Sequence, residues 1–329
     1  MRFLVLGGTN FVGRHLVERA LAEGHEVVLF NRGRTNPGIF DGAEEVLGDR
    51  DGGLDGLKGR TFDRVVDVSG YVPRIVRQSA ELLKDATEHY TFVSTVSVYA
   101  DFTKTYLDED SPVATMADES VEGITDETYG PLKALCEDVV SSVYDERYAI
   151  VRPGIVAGPF DHTDRFTYWC VRASKGGELV APGDPGRPVQ FIDARDLAAF
   201  ILHLSKESLR GVFNANGPWT EAIDWDGFLE TCIAVGRSRA EPVWVPERVL
   251  RDAGVQIGQE VPLYAPMDMP GFATVDSERA ISAGLRFSAL ERSVEDTLRW
   301  ARAERLDLAA GMTPEREAEI LETLRRSRI

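Results

Sequence analysis

The sequence has few of the residues that build metal sites and disulfide frameworks. Its 329 residues include 3 cysteines and 5 histidines, and no two cysteines form a Cys-x-x-Cys pair. It contains no His-Glu-x-x-His motif and no Gly-x-Ser-x-Gly motif, so zinc hydrolysis and esterase chemistry with a catalytic triad have no support. We expect no metal site, and we expect buried free thiols at Cys136, Cys170 and Cys232.

Positive charge and long apolar runs are also scarce. Lys and Arg number 37 against 54 Asp and Glu, which gives a net charge of −17. A surface of this charge repels a phosphate backbone, so we expect no nucleic-acid partner. No stretch is long enough to span a membrane, and the apolar residues 1–6 run into Gly7 and Gly8 without a cleavage site. We therefore expect a cytoplasmic protein without a membrane partner.

Short apolar, β-branched runs alternate with helical patterns along the first half of the chain. Alternation of strand and helix predicts an α/β fold with a doubly wound parallel sheet. The length allows about two domains. The runs lie at residues 2–6, 26–30, 44–47, 64–68, 90–96 and 148–151.

The pattern changes after Gly158 and Pro159. Loops rich in glycine and proline follow, and apolar stretches return at 191–192 and 212–213 before a helical carboxyl-terminal part. This order predicts a smaller substrate-binding domain interleaved with the larger, dinucleotide-binding one. We place the larger domain at residues 1–158 and 188–217, and the smaller at 159–187 and 218–329.

A glycine-rich turn follows the first apolar run and leads into an amphipathic helix at 11–23. Its spacing, Gly7-x-x-Asn10-x-x-Gly13, is a variant of the dinucleotide fingerprint, in which backbone N–H groups at a helix N-terminus bind phosphate. Asparagine tolerates a left-handed backbone, so we expect Asn10 to keep the turn where glycine is usual. The alternative is an ordinary strand-to-helix turn.

A tyrosine and a lysine lie one helical turn apart in Tyr129-x-x-x-Lys133. Residues at this spacing share a helix face, so the ammonium is expected to lower the pKa of the phenol and prepare it for proton exchange. The hydroxyls of Ser94, Thr95 and Ser97 lie at the end of the fifth run, at the sheet edge where such folds bind ligands. Any one of these hydroxyls taken alone is more often a strand terminator that bonds the nearby backbone.

Together these motifs resemble the extended short-chain dehydrogenase/reductase family, which includes NAD-dependent sugar epimerases and dehydratases. The resemblance covers about residues 1–220 and also rests on Arg152-Pro153-Gly154-Ile155 and on the segment 190–198. It implies a Rossmann domain, a catalytic role for Thr95, and Tyr129 as the acid/base. The same resemblance implies that Lys133 lowers the pKa of the tyrosine and holds the nicotinamide ribose. It also implies that Asp49 contacts the adenine and that the chain forms a homodimer.

The cofactor is expected to be NADP, with NAD as the alternative. NAD enzymes commonly carry an acid at the end of the second strand, but this sequence has Asn31-Arg32-Gly33-Arg34 there. Two guanidiniums can bind a 2′-phosphate through bidentate hydrogen bonds. The alternative is that Arg32 and Arg34 are solvated residues of a loop. The expected cofactor contacts are Gly7, Thr9, Asn10, Phe11, Val12, Gly13, Asn31, Arg32, Arg34, Asp49, Arg50, Ser69, Gly70, Lys133, Pro153 and Ile155.

The expected substrate is a polar, possibly sugar-like small molecule. Sugar-nucleotide epimerases carry an Asn where Ile155 stands and an Arg where Val189 stands, so these departures from the resemblance count against a nucleotide sugar. The stretch 160–169 mixes aromatic residues with Arg165 and suits either a pocket wall or a domain interface. The expected substrate contacts are Tyr71, Ser97, Arg165 and Arg187.

Three functions remain open on the sequence. The first is an oxidoreductase that interconverts a secondary alcohol and a carbonyl. The second is an epimerase or dehydratase that retains its cofactor. The third is a binding protein, because the glycine turn and the Asn-Arg-Gly segment also resemble chloroplast stem-loop RNA-binding proteins. An acidic stretch at 101–127 is typical of a solvated loop, with a cover over the active site as the alternative.

Overall fold

A parallel sheet lies at the centre of this computed structural model, which describes residues 1–217 and 222–327. The strands are β1 (Arg2–Leu6), β2 (Glu26–Asn31), β3 (Ala43–Leu47), β4 (Phe62–Asp67), β5 (Thr87–Val93), β6 (Tyr148–Pro153), β7 (Val156–Ala157), β8 (Gly177–Pro182), β9 (Pro188–Val189), β10 (Ile192–Asp193), β11 (Gly211–Ala215), β12 (Ile223–Asp224) and β13 (Ala240–Val245). Seven of them form the sheet in the order β11-β6-β5-β4-β1-β2-β3, all parallel. The strand order reverses direction beside β1, as in a doubly wound fold, so the predicted fold class is confirmed.

Helices cover both faces of the sheet. They are α1 (Phe11–Ala22), α2 (Pro73–Leu83), α3 (Asp126–Tyr144), α4 (Thr167–Ser174), α5 (Ala194–Lys206), α6 (Trp225–Gly236), α7 (Glu247–Asp252), α8 (Glu278–Ser282), α9 (Leu290–Glu304) and α10 (Pro314–Ser327). One apolar core packs α1 and α5 on the sheet, and another packs α2 and α3 on it. Of the helices in the described ranges, none is both long and apolar enough to cross a membrane.

The predicted strands match the observed ones closely, and the largest difference lies in the fifth. The sequence predicts a strand to residue 96, but β5 ends at Val93 and a single 3-10 turn spans Val96–Val98. The Thr95 side chain accepts a hydrogen bond from the Ser97 backbone N–H and so caps this turn. The backbone therefore leaves the sheet where the hydroxyl residues begin.

A separate apolar core lies in the carboxyl-terminal part of the chain. It contains the buried aromatic residues Phe166, Trp169, Trp225 and Phe228 and joins α4, α6 and α9 to the paired strands β8 and β13. The division into two domains stays a prediction, because this core also contains Ala157, Val189 and Phe191 of the predicted larger domain. The segment around α8 differs, because Ala280 and Leu285 pack into the core of the parallel sheet.

The free thiols are buried as predicted. Cys136 lies in α3, Cys170 in α4 and Cys232 in α6, each without solvent exposure and without a disulfide.

Helix α3 approaches the end of β5 very closely at Gly130. A Cβ atom on this glycine would lie 2.1 Å from the backbone oxygen of Ser97. The helix begins just before this point because Thr125 and Thr128 form a reciprocal capping box. Absence of a side chain at position 130 thus lets α3 bring Tyr129 against the hydroxyl residues that follow β5.

We expect Gly130→Ala to lower the free energy of unfolding by about 1–3 kcal/mol, because the added methyl group forces the helix away from Ser97. Gly123→Ala is the matched control, since a Cβ there meets nothing within 4 Å and the expected change is below about 0.5 kcal/mol. Urea denaturation measures both values. Equal stability of the two variants would contradict the close approach.

Candidate active site

A cleft of about 490 Å³ opens at the carboxyl edge of the sheet, beside the glycine turn. We call it the turn cleft. It brings together most of the residues expected to contact a cofactor: Gly7, Thr9, Asn10, Phe11, Val12, Gly13, Asn31, Arg32, Arg34, Asp49, Arg50 and Ser69. These residues come from the ends of β1, β2, β3 and β4, so the strand order assembles them.

The N-terminus of α1 faces this cleft without a side-chain cap. Asn10 is the N-cap residue but makes no capping hydrogen bond, and the first turn carries no acidic residue. A Cβ on Gly13 would lie 2.3 Å from the Gly7 oxygen, so the tight turn requires glycine there. The free N–H groups and the helix dipole therefore favour a bound anion.

Asn10 does not adopt the left-handed backbone that the sequence suggested. Its φ and ψ are −130° and 142°, which is extended. The positive φ values of the turn belong to Gly7, at 88°, and to Phe11, at 31°. The expected left-handed backbone at Asn10 is wrong, because Gly7 and Phe11 adopt the positive φ angles of this turn.

Two arginines stand at the rim of the turn cleft, just after β2. Arg32 and Arg34 are exposed, and within residues 1–217 and 222–327 neither guanidinium makes a hydrogen bond or ion pair. The loop is shaped locally, because the Asn31 side-chain oxygen accepts a hydrogen bond of 2.7 Å from the Gly33 N–H. The two guanidiniums are therefore free to bind an anion.

Arg50 borders the same cleft but is committed to the protein. Its two terminal nitrogens donate to both oxygens of the fully buried Asp67, each at 2.7 Å, and one also donates to Ser79. Asp67 accepts a further hydrogen bond from Tyr90. This bidentate pair stiffens the cleft floor, and it leaves the Nε of Arg50 without a hydrogen-bond partner among the described residues.

A second cavity, of about 540 Å³, continues from the turn cleft. We call it the inner cavity. Phe11, Val12, Val68, Tyr71 and His162 border both spaces, so the two form one continuous trough. The inner cavity holds the remaining expected residues Thr95, Ser97, Tyr129, Lys133, Pro153, Ile155 and Arg165. Gly70 borders neither space.

Tyr129 lies beside the hydroxyl residues that follow β5. Burial raises the pKa of its phenol, while the Thr95 side-chain hydrogen bond and the positive charge of Arg165 lower it in part. Thr95 in turn donates to the Ser97 hydroxyl at 3.2 Å. The Tyr71 ring lies 6.4 Å from the Tyr129 ring, between centroids.

Lys133 does not act on Tyr129 as the sequence suggested. Its buried ammonium donates to the backbone oxygens of Gly70, at 2.6 Å, and Val93, at 2.7 Å. Burial lowers the pKa of this ammonium to about 8, and its charge is not among the groups that shift the pKa of Tyr129. The expected lowering of the tyrosine pKa is therefore wrong, because two strand-end carbonyls hold the lysine beneath the site.

The stretch 160–169 contributes one wall of the inner cavity, as one of the two interpretations predicted. Thr163 donates from its N–H and its hydroxyl to one oxygen of Asp161, at 2.8 and 2.7 Å. Arg165 donates from Nε to the Thr163 hydroxyl at 3.3 Å. The aromatic members Phe166 and Trp169 instead enter the carboxyl-terminal core, so this segment serves both functions.

Arg187 does not border the inner cavity. It donates to the backbone oxygens of Ala265 and Pro266, at 2.8 and 3.3 Å, and its guanidinium lies 5.5 Å from the centre of the Tyr264 ring. Since these three residues border the cavity, Arg187 supports that wall from behind.

The acidic stretch at 101–127 reaches the turn cleft at one point. Ile124 borders the cleft, and Arg74 bridges Glu122 to Asp51 with hydrogen bonds of 2.6–3.0 Å. Most of its other carboxylates are exposed. The stretch is thus mainly a solvated loop whose end forms part of the cleft rim.

The sequence matches the NAD dependent epimerase/dehydratase family over residues 3–52 and 73–215. The chain belongs to this family. Its members are NAD(P)-dependent enzymes, and the match covers the glycine turn, the β5 hydroxyls and the Tyr129-x-x-x-Lys133 helix.

Solved structures of low sequence identity share the fold. A putative epimerase from Burkholderia cenocepacia has a TM-score of 0.69 at 18% identity and covers 92% of this chain and 98% of its own. The UDP-glucose 4-epimerase of Thermotoga maritima, crystallised with UDP-glucose, has a TM-score of 0.66 at 17% identity over 93% and 100%. A human epimerase family protein with NADPH has a TM-score of 0.62 at 22% identity over 91% and 99%.

A sequence relative is the chloroplast stem-loop binding protein of 41 kDa b from Arabidopsis thaliana. It is 25% identical over 253 residues, which are 71% of this chain. The match spans 63% of the relative's length.

Several residues that border the inner cavity were not predicted from the sequence. Asp161 lies inside the stretch 160–169, one interpretation of which was a pocket wall. Its closeness in sequence to Arg165 is the signal that could have identified it. The wall formed by 257–258, 263–266 and Phe272 had no local signal, because it comes from a distant part of the chain.

The Lys133 pKa predicts a pH dependence of stability. Between pH 8 and 10.5 the unfolded lysine still binds a proton that the folded protein has released, so stability relative to Lys133→Met should rise with pH across this window. The expected gain is about 2–4 kcal/mol. Urea denaturation at each pH measures it, with the exposed Lys84→Met as control. A flat difference between wild type and Lys133→Met would contradict the buried ammonium.

Proposed function

We propose that this chain is an NAD(P)-dependent oxidoreductase that interconverts a secondary alcohol and a carbonyl on a polar, sugar-like small molecule. The observation that carries the proposal is the continuity of the trough. An uncapped helix N-terminus lies at one end, and Thr95 and Tyr129 border the inner cavity at the other.

The residues present fit a dinucleotide. The uncapped α1 N-terminus suits the pyrophosphate, the turn cleft suits the adenosine half beside Asp49, and the shared wall leads the other half into the inner cavity beside Lys133, Pro153 and Ile155. When bound, the dinucleotide supplies the hydride acceptor or donor. The protein supplies position and proton transfer.

Tyr129 is the proposed acid and base. Its raised pKa keeps the phenol protonated at neutral pH, so it can donate a proton to a carbonyl oxygen during reduction. In the reverse direction, the Arg165 charge stabilises the phenolate that accepts the alcohol proton, and the Thr95 hydroxyl does so when it turns its proton from Ser97 to Tyr129. Lys133 holds the ends of β4 and β5 in place beneath this pair.

Replacement of the phenol tests this role. We expect Tyr129→Phe to lower kcat by about 10²- to 10⁴-fold while the Kd for the dinucleotide changes less than about twofold. NADPH absorbance against a panel of keto sugars and sugar alcohols gives the activity. Tyr106→Phe, at an exposed tyrosine, is the control. Full activity of Tyr129→Phe would assign the proton transfer elsewhere.

NADP is the proposed cofactor. The two free guanidiniums of Arg32 and Arg34 stand where an NAD enzyme commonly has a carboxylate, and a 2′-phosphate would pair with them.

The double variant Arg32→Ala/Arg34→Ala should weaken NADPH binding at least about tenfold and NADH binding less than about twofold, because only NADPH carries the 2′-phosphate. Fluorescence titration of the bound nicotinamide measures both. Arg302→Ala, an exposed arginine in α9, is the control. Equal affinities in the wild type, unchanged by the double variant, would favour NAD.

An epimerase or dehydratase with retained cofactor is the second candidate, because family members include such enzymes and both reactions begin with the same proton and hydride removal. Mass spectrometry of the small molecules released from denatured protein separates the two. Stoichiometric NAD⁺ or NADP⁺ supports the epimerase or dehydratase, whereas an exchangeable cofactor supports the reductase.

An RNA-binding role is the third candidate, because the Arabidopsis relative is a stem-loop binding protein. The net charge of −17 opposes it. Salt-sensitive retention of RNA by the purified protein would support this role over the enzymatic one.

A further inference from the structure

Two residues that border the inner cavity each carry a buried side-chain oxygen that has no hydrogen-bond partner among the described residues. These atoms are the Ser94 hydroxyl oxygen and one carboxylate oxygen of Asp161, Oδ2. Both residues are more than nine-tenths buried, at 4% and 1% exposure. Because an unpaired buried polar group costs free energy, each needs a partner that the protein itself does not provide.

The Asp161 carboxylate is held in one orientation. Its other oxygen, Oδ1, accepts both hydrogen bonds from Thr163, which leaves Oδ2 as a fixed acceptor. A carboxylate oxygen in this state forms a strong, charge-assisted hydrogen bond to a hydroxyl group.

Arg165 presents the complementary donors. Its Nε is bound to the Thr163 hydroxyl, whereas its two terminal nitrogens make no hydrogen bond or ion pair within residues 1–217 and 222–327. The guanidinium also lies close enough to lower the pKa of both Tyr129 and Asp161. Thr163 therefore links an acceptor and a donor that share one wall near the reactive phenol.

The charged side chains that border the inner cavity sum to one positive charge, and the cation in excess, Lys133, is bonded within the protein. Among the described residues that border it, the carboxylate is Asp161, and the cations are Arg165 and Lys133. Both carbonyl bonds of Lys133 are internal. The remaining pair of Asp161 and Arg165 is neutral in sum, so it suits a ligand that both donates and accepts hydrogen bonds and carries no charge.

We infer that Asp161 and Arg165 form a subsite for two neighbouring hydroxyl groups of a neutral carbohydrate. One hydroxyl donates to Asp161 Oδ2, and the oxygen of the other accepts from the Arg165 guanidinium. This assignment rests on the proposed function, since the same molecule would present its reacting carbon to Tyr129.

The presence of Asp161 beside Arg165 disfavours two other substrate classes. The diphosphate of a nucleotide sugar brings two negative charges, and a sugar acid brings one. The single free guanidinium already lies beside a carboxylate, so neither charge would be matched. Arg187, which could have supplied a second cation, supports the wall from behind.

Calorimetric titration of the dinucleotide-saturated protein tests the subsite. The probes are D-glucose, D-galactose, D-mannose, D-xylose and L-arabinose, with D-glucuronate and UDP-glucose for comparison. We expect at least one neutral sugar to bind with a Kd of about 10 mM or tighter. UDP-glucose and glucuronate should bind no more tightly than that sugar.

Substitutions locate the binding. Asp161→Asn replaces the free acceptor by a donor, and Arg165→Gln removes the charged donors, so each should weaken sugar binding at least about tenfold. Ser94→Ala should weaken it if the second unpaired hydroxyl also contacts the sugar, and it keeps the test valid if Asp161→Asn fails to fold. The controls Asp138→Asn and Arg302→Gln alter exposed residues and should change the Kd less than about twofold.

The inference is overturned if no neutral sugar binds, if UDP-glucose or glucuronate binds more tightly, or if folded Asp161→Asn and Arg165→Gln bind sugar like the wild type. In the last case an internal water would satisfy Asp161. Dinucleotide binding is titrated on the same protein. Its absence would refute the proposed function, whereas dinucleotide binding without sugar binding would refute the subsite alone.

Discussion

The buried ammonium of Lys133 is the interaction on which the site geometry depends. It joins α3 to the backbone oxygens of Gly70, after β4, and Val93, at the end of β5. These two carbonyls lie at the edge of the sheet where parallel strands end, and a lysine is long enough to reach both from the helix. Burial of its charge is costly, and the two hydrogen bonds offset that cost while they hold Tyr129 at a fixed height above the strand ends.

The turn cleft offers local positive charge and N–H donors in a protein with a net charge of −17. An anionic cofactor is repelled by such a surface at long range, but local donors dominate at hydrogen-bond distance. The α1 N-terminus is uncapped and lacks acidic residues, and Arg32 and Arg34 stand free at the rim. The turn cleft therefore combines unpaired N–H groups with two guanidiniums, and both favour a bound anion.

Features that depend on residues close together in the sequence could be predicted. The glycine turn, the strand alternation and the helix that carries Tyr129 depend on local spacing, and their positions agree with the structure to within a few residues. The errors arose where distant residues decide. Lys133 was expected to lower the pKa of Tyr129, but carbonyls 63 and 40 residues away in sequence bind it. The pairing of Arg50 with Asp67 was likewise not foreseen, while the expected cofactor contact of Arg50 stays a prediction.

The sequence by itself determined the doubly wound fold, the glycine turn and the identity of the chemical groups, because each follows from periodicity or from residues adjacent along the chain. Only the tertiary structure decided which of those groups are free. Arg165 and Asp161, which border the inner cavity, keep side-chain atoms without a partner among the described residues. Arg50 instead pairs with Asp67, and Arg187 donates to the backbone oxygen of Ala265. The physical reason is that a hydrogen bond or ion pair depends on distance in space, and the fold sets that distance between residues far apart in sequence.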